Sequence, residues 1–113
     1  GLIQDLVIHN NITSCTLVTF NSGAIRGNHY HEKTLQWNYL IKGEVYYSYG
    51  EVNLSQIHKS IYKAGDLFFT DIFKAHAIKA IKDSTLLVLT SGPRSGSDYE
   101  NDTIRLNQNL FDI

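Results

Sequence analysis

The stretch Gly23-Ala-Ile-Arg-Gly-Asn-His-Tyr-His-Glu-Lys-Thr-Leu-Gln-Trp-Asn-Tyr-Leu-Ile-Lys-Gly43 decides the fold. It contains two runs, Ile25 to His31 and Leu35 to Lys42, separated by a short polar turn and bounded by glycine. Both read as strands. A strand alternates its side chains with period two, so His29 and His31 project to one side and Tyr30 to the other. Two imidazoles at that spacing can grip one ion with bonds of ~2.0–2.1 Å. Gly27 and Asn28 upstream, with Glu32 and Lys33 downstream, mark a strand end near solvent where a small molecule can enter.

The rest of the chain reads the same way. Cys15 to Phe20 is rich in β-branched residues, and Asn21-Ser22-Gly23 is a turn. Gly43 turns the chain into Glu44 to Tyr49, and Gly50-Glu51 links to Val52 to His58, most simply as a hairpin. Strands are predicted at Ser60 to Lys63, Leu67 to Thr70, His76 to Ile81 and Thr85 to Thr90, with turns at 64–66 and 82–84. The tail from Ser91 begins as a loop and ends in a short strand around Thr103 to Leu106. Many short strands, frequent turns and no long 3.6-residue periodicity predict an all-β sandwich or barrel, of which a jelly roll is one form. With 113 residues there is room for one domain, 1–113, and one modest core.

The motifs carry a family resemblance. Gly23, His29, His31, Gln36 and Gly43 fall at the spacing of the first cupin motif, G-x5-H-x-H-x3/4-E-x6-G, except that Gln36 stands where cupins usually carry Glu. Gly65 and His76 match the second motif, G-x5-P-x-G-x2-H-x3-N, while its Pro, Gly and Asn are replaced by Asp71, Phe73 and Ala80. The resemblance covers about Gly23 to Ala80. It implies a double-stranded β-helix, the jelly-roll barrel of the cupin superfamily. It also implies a metal site in the barrel mouth, built from His29, His31, Gln36 and His76.

Imidazoles suit several divalent transition metals, so Zn, Ni, Fe and Mn all stay open. Gln36 offers a neutral carbonyl oxygen where Glu would bring a full negative charge. Three neutral histidines and an amide leave a divalent ion its whole charge, which favours Lewis-acid chemistry on a carbonyl or alkoxide oxygen over dioxygen chemistry. Cupins with this ligand set include enzymes that linearise unsaturated uronates. Glu32 is not a substitute carboxylate, because strand alternation points it away from the side of His31.

Arg26-Gly27-Asn28-His29-Tyr30-His31 is also similar to a stretch of sugar-modifying cupins, among them nucleotide-sugar ketoisomerases and cupin domains of capsular-polysaccharide enzymes. In the ketoisomerases the paired histidines act as acid and base without metal, a role suited to a pKa near neutrality. Gln36 and His76 favour the metal reading, because a metal-free site does not need four converging donors. Arg26 is a candidate clamp for a carboxylate or phosphate. Asn38, by parity with Gln36, and Tyr47 are candidate cavity-lining, substrate-binding residues. The catalytic proton carrier is not identified.

The functional expectation is a metal-binding cupin enzyme. It would act on a small carbohydrate or polar acid by isomerase, lyase or ring-opening chemistry. A metal-dependent dioxygenase and a non-catalytic sugar- or metabolite-binding cupin are the alternatives. The formal charge of −1 argues against an electrostatic nucleic-acid binder. No apolar run reaches membrane-spanning length and no signal peptide is visible, so a cytoplasmic location with no membrane partner is expected. The lone Cys15 cannot form an internal disulfide, and its apolar setting predicts a buried structural thiol. If Gln36, Asn38 and Leu40 face inward, Trp37, Tyr39 and Ile41 form an apolar outer stripe. That stripe predicts a homodimer interface, the competing cover being the chain's own Leu2 to Ile8.

Overall fold

Alternating burial, clearest along Ser14–Phe20 and Ser84–Ser91, separates inward from outward faces. In the computed structural model, which describes residues 1–93 and 96–113, nine strands form two antiparallel sheets. The strands are β1 (Ser14–Phe20), β2 (Ile25–His31), β3 (Leu35–Lys42), β4 (Glu44–Glu51), β5 (Ile57–Lys63), β6 (Leu67–Thr70), β7 (Lys74–Ala80), β8 (Ser84–Ser91) and β9 (Thr103–Arg105). One sheet runs β1-β8-β3-β6 and the other β5-β4-β7-β2-β9. A short helix α1 (Gly96–Asn101) precedes β9, and a 3-10 turn at Leu110–Asp112 follows it. This is the expected β-sandwich jelly roll. No helix among the described residues is long and apolar enough to cross a membrane.

The core lies between the sheets. Phe20, Leu40, Val45, Phe68, Ile78, Leu86 and Val88 pack there with Tyr47. Each full burial of such an apolar side chain stabilises the fold by roughly 1.5–3 kcal/mol. The interior is not wholly apolar. The Asn38 amide donates to the Phe68 carbonyl and to Thr70 Oγ1, both at 3.1 Å, and Thr70 Oγ1 lies 2.7 Å from the Tyr47 hydroxyl. These bonds satisfy polar groups whose burial would otherwise be costly.

A second, smaller cluster sits behind β7. Ala75 and Ala77 face away from the main core and are covered by the fully buried Leu110. Asn28 ties this C-terminal segment down: its carbonyl accepts the Leu106 N–H at 2.8 Å and its Oδ1 accepts the Leu110 N–H at 2.9 Å.

Three sequence expectations are corrected. The hairpin after β4 does not turn at Gly50-Glu51. Gly50 pairs with Ile57, and the reversal falls at 52–56. There the Asn53 side chain accepts the Ser55 N–H at 3.0 Å and Leu54 takes a left-handed conformation (φ 63°). An Asx turn thus does what the glycine was expected to do. Of the strand expected at Val52 to His58 only Ile57 and His58 are strand, and they run on through Ser60 to Lys63 as one strand, β5. Cys15 is exposed rather than buried, because alternation along β1 places it outward with Leu17. The tail's loop-like beginning contains α1.

The outward face of the four-stranded sheet is apolar across its width. Cys15, Leu89, Trp37 and Phe69 stand in one register row, and Leu17, Leu87, Tyr39 and Leu67 in the next. Leu17 is 65% exposed, Phe69 44% and Ile41 46%. Leu2 and Ile3 are themselves 85% and 95% exposed, so neither is buried against this face.

Candidate metal centre

His29 and His31 leave β2 on the same side, and His76 on β7 is the register partner of His29. Their meeting depends on a local irregularity. The β2–β7 register shifts between Gly27 and His29, and both Gly27 (φ 102°) and Asn28 (φ 59°) have positive φ. Such a bulge re-aims the residues that follow it. Gly27 cannot be another residue without strain: a Cβ there would sit 2.8 Å from the His76 carbonyl oxygen.

The three rings are close. Centroids of His29 lie 4.7 Å from those of both His31 and His76, and His31 and His76 are 5.5 Å apart. One nitrogen from each falls within 4.8 Å of the others. His31 Nδ1 is 2.9 Å from the Asp102 main-chain oxygen, and His76 Nδ1 is 2.9 Å from the Lys74 carbonyl. A carbonyl only accepts, so each Nδ1 carries the proton and each Nε2 carries a lone pair. The Nδ1 of His29 is buried with no hydrogen-bond partner among the described residues.

Electrostatics keep two of the rings, His29 and His76, neutral. Burial lowers the His29 pKa to about 3, helped by repulsion from His76, His31 and Arg105. Burial also lowers His76 to about 4, opposed by its bond to the Lys74 carbonyl and assisted by His31. Neutral imidazole is the form that binds metal. A three-imidazole donor cluster with a buried orphan nitrogen on His29 fits a divalent cation.

A cavity of about 210 Å³ opens onto His29 and His76. Gln36, Asn38 and Arg26 line it, with Val18, Phe20, Ile78, Leu86 and Val88 supplying apolar walls. The sequence-predicted residues Gln36, Asn38 and Arg26 thus share one cavity with the histidines. Arg26 is held over the Phe20 ring, its guanidinium carbon 5.4 Å from the centroid. Tyr47 is not on this cavity. Its hydroxyl meets Thr70, and its ring, stacked on Tyr49 at 5.2 Å, borders a separate cavity of about 280 Å³ that also includes His58 and Glu51. Burial raises the Tyr47 phenol pKa well above its ordinary value.

Sequence reasoning missed the tail's contribution. Tyr99 of α1 lines the cavity, with its ring 5.6 Å from that of His31. Asp102 touches His31 directly. Arg105 pairs with His29 through β9. None of the three falls inside either histidine motif, and the polar composition of the tail gives no periodic signal.

Comparison with known proteins follows from this geometry. Residues 16–92 match the family described as "Cupin domain". No curated protein sequence matches the chain. The capsular polysaccharide assembling protein CapF from Staphylococcus aureus is structurally similar at 15% identity and TM-score 0.75, over 86% of this chain and 27% of that one. The chain therefore spans about a quarter of that protein. The sugar 3,4-ketoisomerase QdtA from Thermoanaerobacterium thermosaccharolyticum, in complex with TDP, is similar at 19% identity and TM-score 0.73, over 90% and 72% of the two chains. The Drosophila melanogaster CENP-C cupin domain is similar at 17% identity and TM-score 0.63, over 70% and 61%. Identities at this level speak for the fold alone.

Proposed function

The chain belongs to the cupin family, and on that premise we propose that it is a metal-binding cupin enzyme acting on a small carbohydrate or related polar acid. His29, His31, His76 and the carbonyl oxygen of Gln36 would hold a divalent ion, Zn, Ni, Fe or Mn. The observation that carries this reading is the convergence of three imidazole nitrogens within 4.8 Å beside a mixed polar and apolar cavity.

A bound divalent ion would supply Lewis-acid polarisation of a carbonyl or hydroxyl oxygen. The chain's own residues do the remaining work. The walls formed by Val18, Phe20, Ile78 and Leu86 take the apolar faces of a small ring and exclude water. Asn38 has both described amide bonds directed into the protein, so it shapes the cavity floor. Arg26, anchored on Phe20, offers a guanidinium for a carboxylate or phosphate on the ligand. The Tyr99 phenol stands on the cavity beside the His31 ring, where it can orient a substrate hydroxyl. Its kinship in fold to a sugar ketoisomerase supports the carbohydrate class.

The test is elemental analysis of the purified protein followed by turnover on uronates, keto-sugars and nucleotide sugars, before and after chelation. Chelator-sensitive isomerisation, elimination or ring opening supports the reading. An iron requirement with oxygen uptake would move the assignment to a dioxygenase, and binding without turnover to a non-catalytic cupin.

We also propose a homodimer through the outer face of the β1-β8-β3-β6 sheet. Two complete register rows of mostly apolar side chains support it, since such a patch is seldom left in water.

A further inference from the structure

Asp102 follows α1 and is only 4% exposed, yet none of its described partners is charged. Its carboxylate Oδ1 accepts the main-chain N–H groups of Glu32 and Lys33, both at 3.0 Å. Oδ2 accepts the hydroxyl of the fully buried Thr34 at 2.5 Å. Its main-chain oxygen accepts the Nδ1–H of His31 at 2.9 Å. Residues 32–34 are the whole connection between β2, which carries His29 and His31, and β3, which carries Gln36. One residue therefore grips both a ligand ring and the turn that separates two members of the ligand set.

We propose that Asp102 is a positioning residue of the metal centre, holding the His31 ring and the 32–34 turn as one unit. The inference rests on the metal reading given above. The residue type matters. Three donors converge on the side chain, and an ionised carboxylate is acceptor-only, so all three are satisfied together. An amide keeps one acceptor for the main-chain N–H groups but turns its own N–H donors toward Thr34, whose hydroxyl must then reverse and accept, and toward the Lys33 N–H that lies 3.3 Å from Oδ2. Its main-chain bond fixes the Nδ1–H tautomer of His31 and directs the Nε2 lone pair away from the tail, the role that partners behind a ligand histidine play in metal sites. The carboxylate keeps the turn, and hence the spacing from His31 to Gln36, from relaxing.

The test uses the full chain carrying Asp102→Asn, which keeps the side chain's shape. Two quantities are read: Zn²⁺ affinity by competition with a chelator, and the His31 tautomer in metal-free protein from imidazole ¹⁵N spectra. We expect affinity to fall ~10- to 100-fold, the usual loss when such a partner is removed. His31 should change from a single Nδ1–H form to a mixture, because release of the 32–34 turn lets the main-chain oxygen of residue 102 drift from Nδ1; amide spectra should change at 31–34 and 101–103 and stay unchanged in the other strands. Thr34→Ser should keep near-parental values and Thr34→Val should not, because only serine restores the hydroxyl. A folded Asp102→Asn protein with parental Zn²⁺ affinity and parental His31 tautomer overturns the proposal. If Asp102→Asn does not fold, equal affinity and tautomer in the two Thr34 variants overturn it instead. Should the parent bind none of Zn²⁺, Ni²⁺, Fe²⁺ and Mn²⁺, the metal reading fails on its own, and the tautomer comparison still decides the role of Asp102.

Discussion

His29 on β2 and His76 on β7 are register partners whose rings meet edge to face, with centroids 4.7 Å apart and planes 81° apart. Neither ring lies flat over the other, so nitrogens from two strands reach the same space as that of His31. Their shared surroundings give the site its two measurable properties, ligand capacity and resistance to protonation.

The first prediction concerns ligands. His76→Ala should lose bound metal and, with it, activity, because it removes a ligand outright. Gln36→Glu should keep metal and bind it more tightly, since a carboxylate is added to a cation. Its turnover should drop by about tenfold or more, because the added charge weakens polarisation of the substrate oxygen. Elemental analysis and turnover of the two variants check this. Full activity after exhaustive chelation would sink the metal mechanism and leave the cupin fold untouched.

A pH effect follows from the buried rings. His29 and His76 titrate at about 3 and about 4 in the folded chain, below the ordinary value of 6.5. Between those limits the unfolded chain binds more protons, so metal-free protein has its full stability above pH ~6.5 and loses it as pH falls. Each group contributes a slope of at most ~1.4 kcal/mol per pH unit, and their mutual repulsion in the folded chain discourages proton uptake there, which keeps the sum near twice that. Urea unfolding of chelated protein at pH 7.5 and pH 5 should differ by roughly 3–4 kcal/mol. Identical curves would show that the rings are not held neutral.

Backbone strain gives a ranking. Phe73 stands where the second cupin motif has Gly, and it adopts a left-handed conformation (φ 54°) while its N–H donates to the His31 carbonyl at 2.7 Å. That conformation costs a side-chain-bearing residue ~1–2 kcal/mol, partly offset by the extra freedom glycine would have when unfolded. Phe73→Gly should therefore melt at the parental temperature or a few degrees above, and Phe73→Val clearly below both, because β-branching worsens the clash. Calorimetry showing valine equal to glycine would contradict the argument.

Assembly is tested on the outer face. Leu17 is 65% exposed beside Leu87 and Tyr39, so Leu17→Lys places a charge in the proposed interface without touching the core. Light scattering should give a dimer for the parent and a monomer for the variant, with the melting curve of the monomer still cooperative. A parent that stays monomeric at high concentration removes the proposal.

Much of this was legible because period-two alternation is a local property. Gly23 to Gly43 announced β2, the turn and β3, and parity along β3 separated the inward Gln36 and Asn38 from the outward Trp37 and Tyr39. Alternation needs an origin, however. Cys15 was misread because its apolar neighbours do not say which face of β1 is the core, and the register with β8 settles that. The turn at 52–56 was missed because Asn53 and Leu54 perform it without glycine. Tyr99, Asp102 and Arg105 were illegible for a different reason. Their part in the site comes from β9 pairing with β2 across more than seventy positions of chain, a long-range contact that no window of sequence contains.

That same pairing has a bearing on misassembly. Without β9, the backbone of β2 at His29, Tyr30 and His31 would be an open sheet margin, presenting unpaired N–H and C=O groups to any other chain. β9 covers it with only three residues, and one of them is the exposed, cationic Arg105. A strand so short and charged is a poor template for further addition. Removal of the segment after Ser91 should accordingly give not merely a weaker metal site but a protein prone to edge-to-edge polymerisation, starting from the strand that bears the histidines.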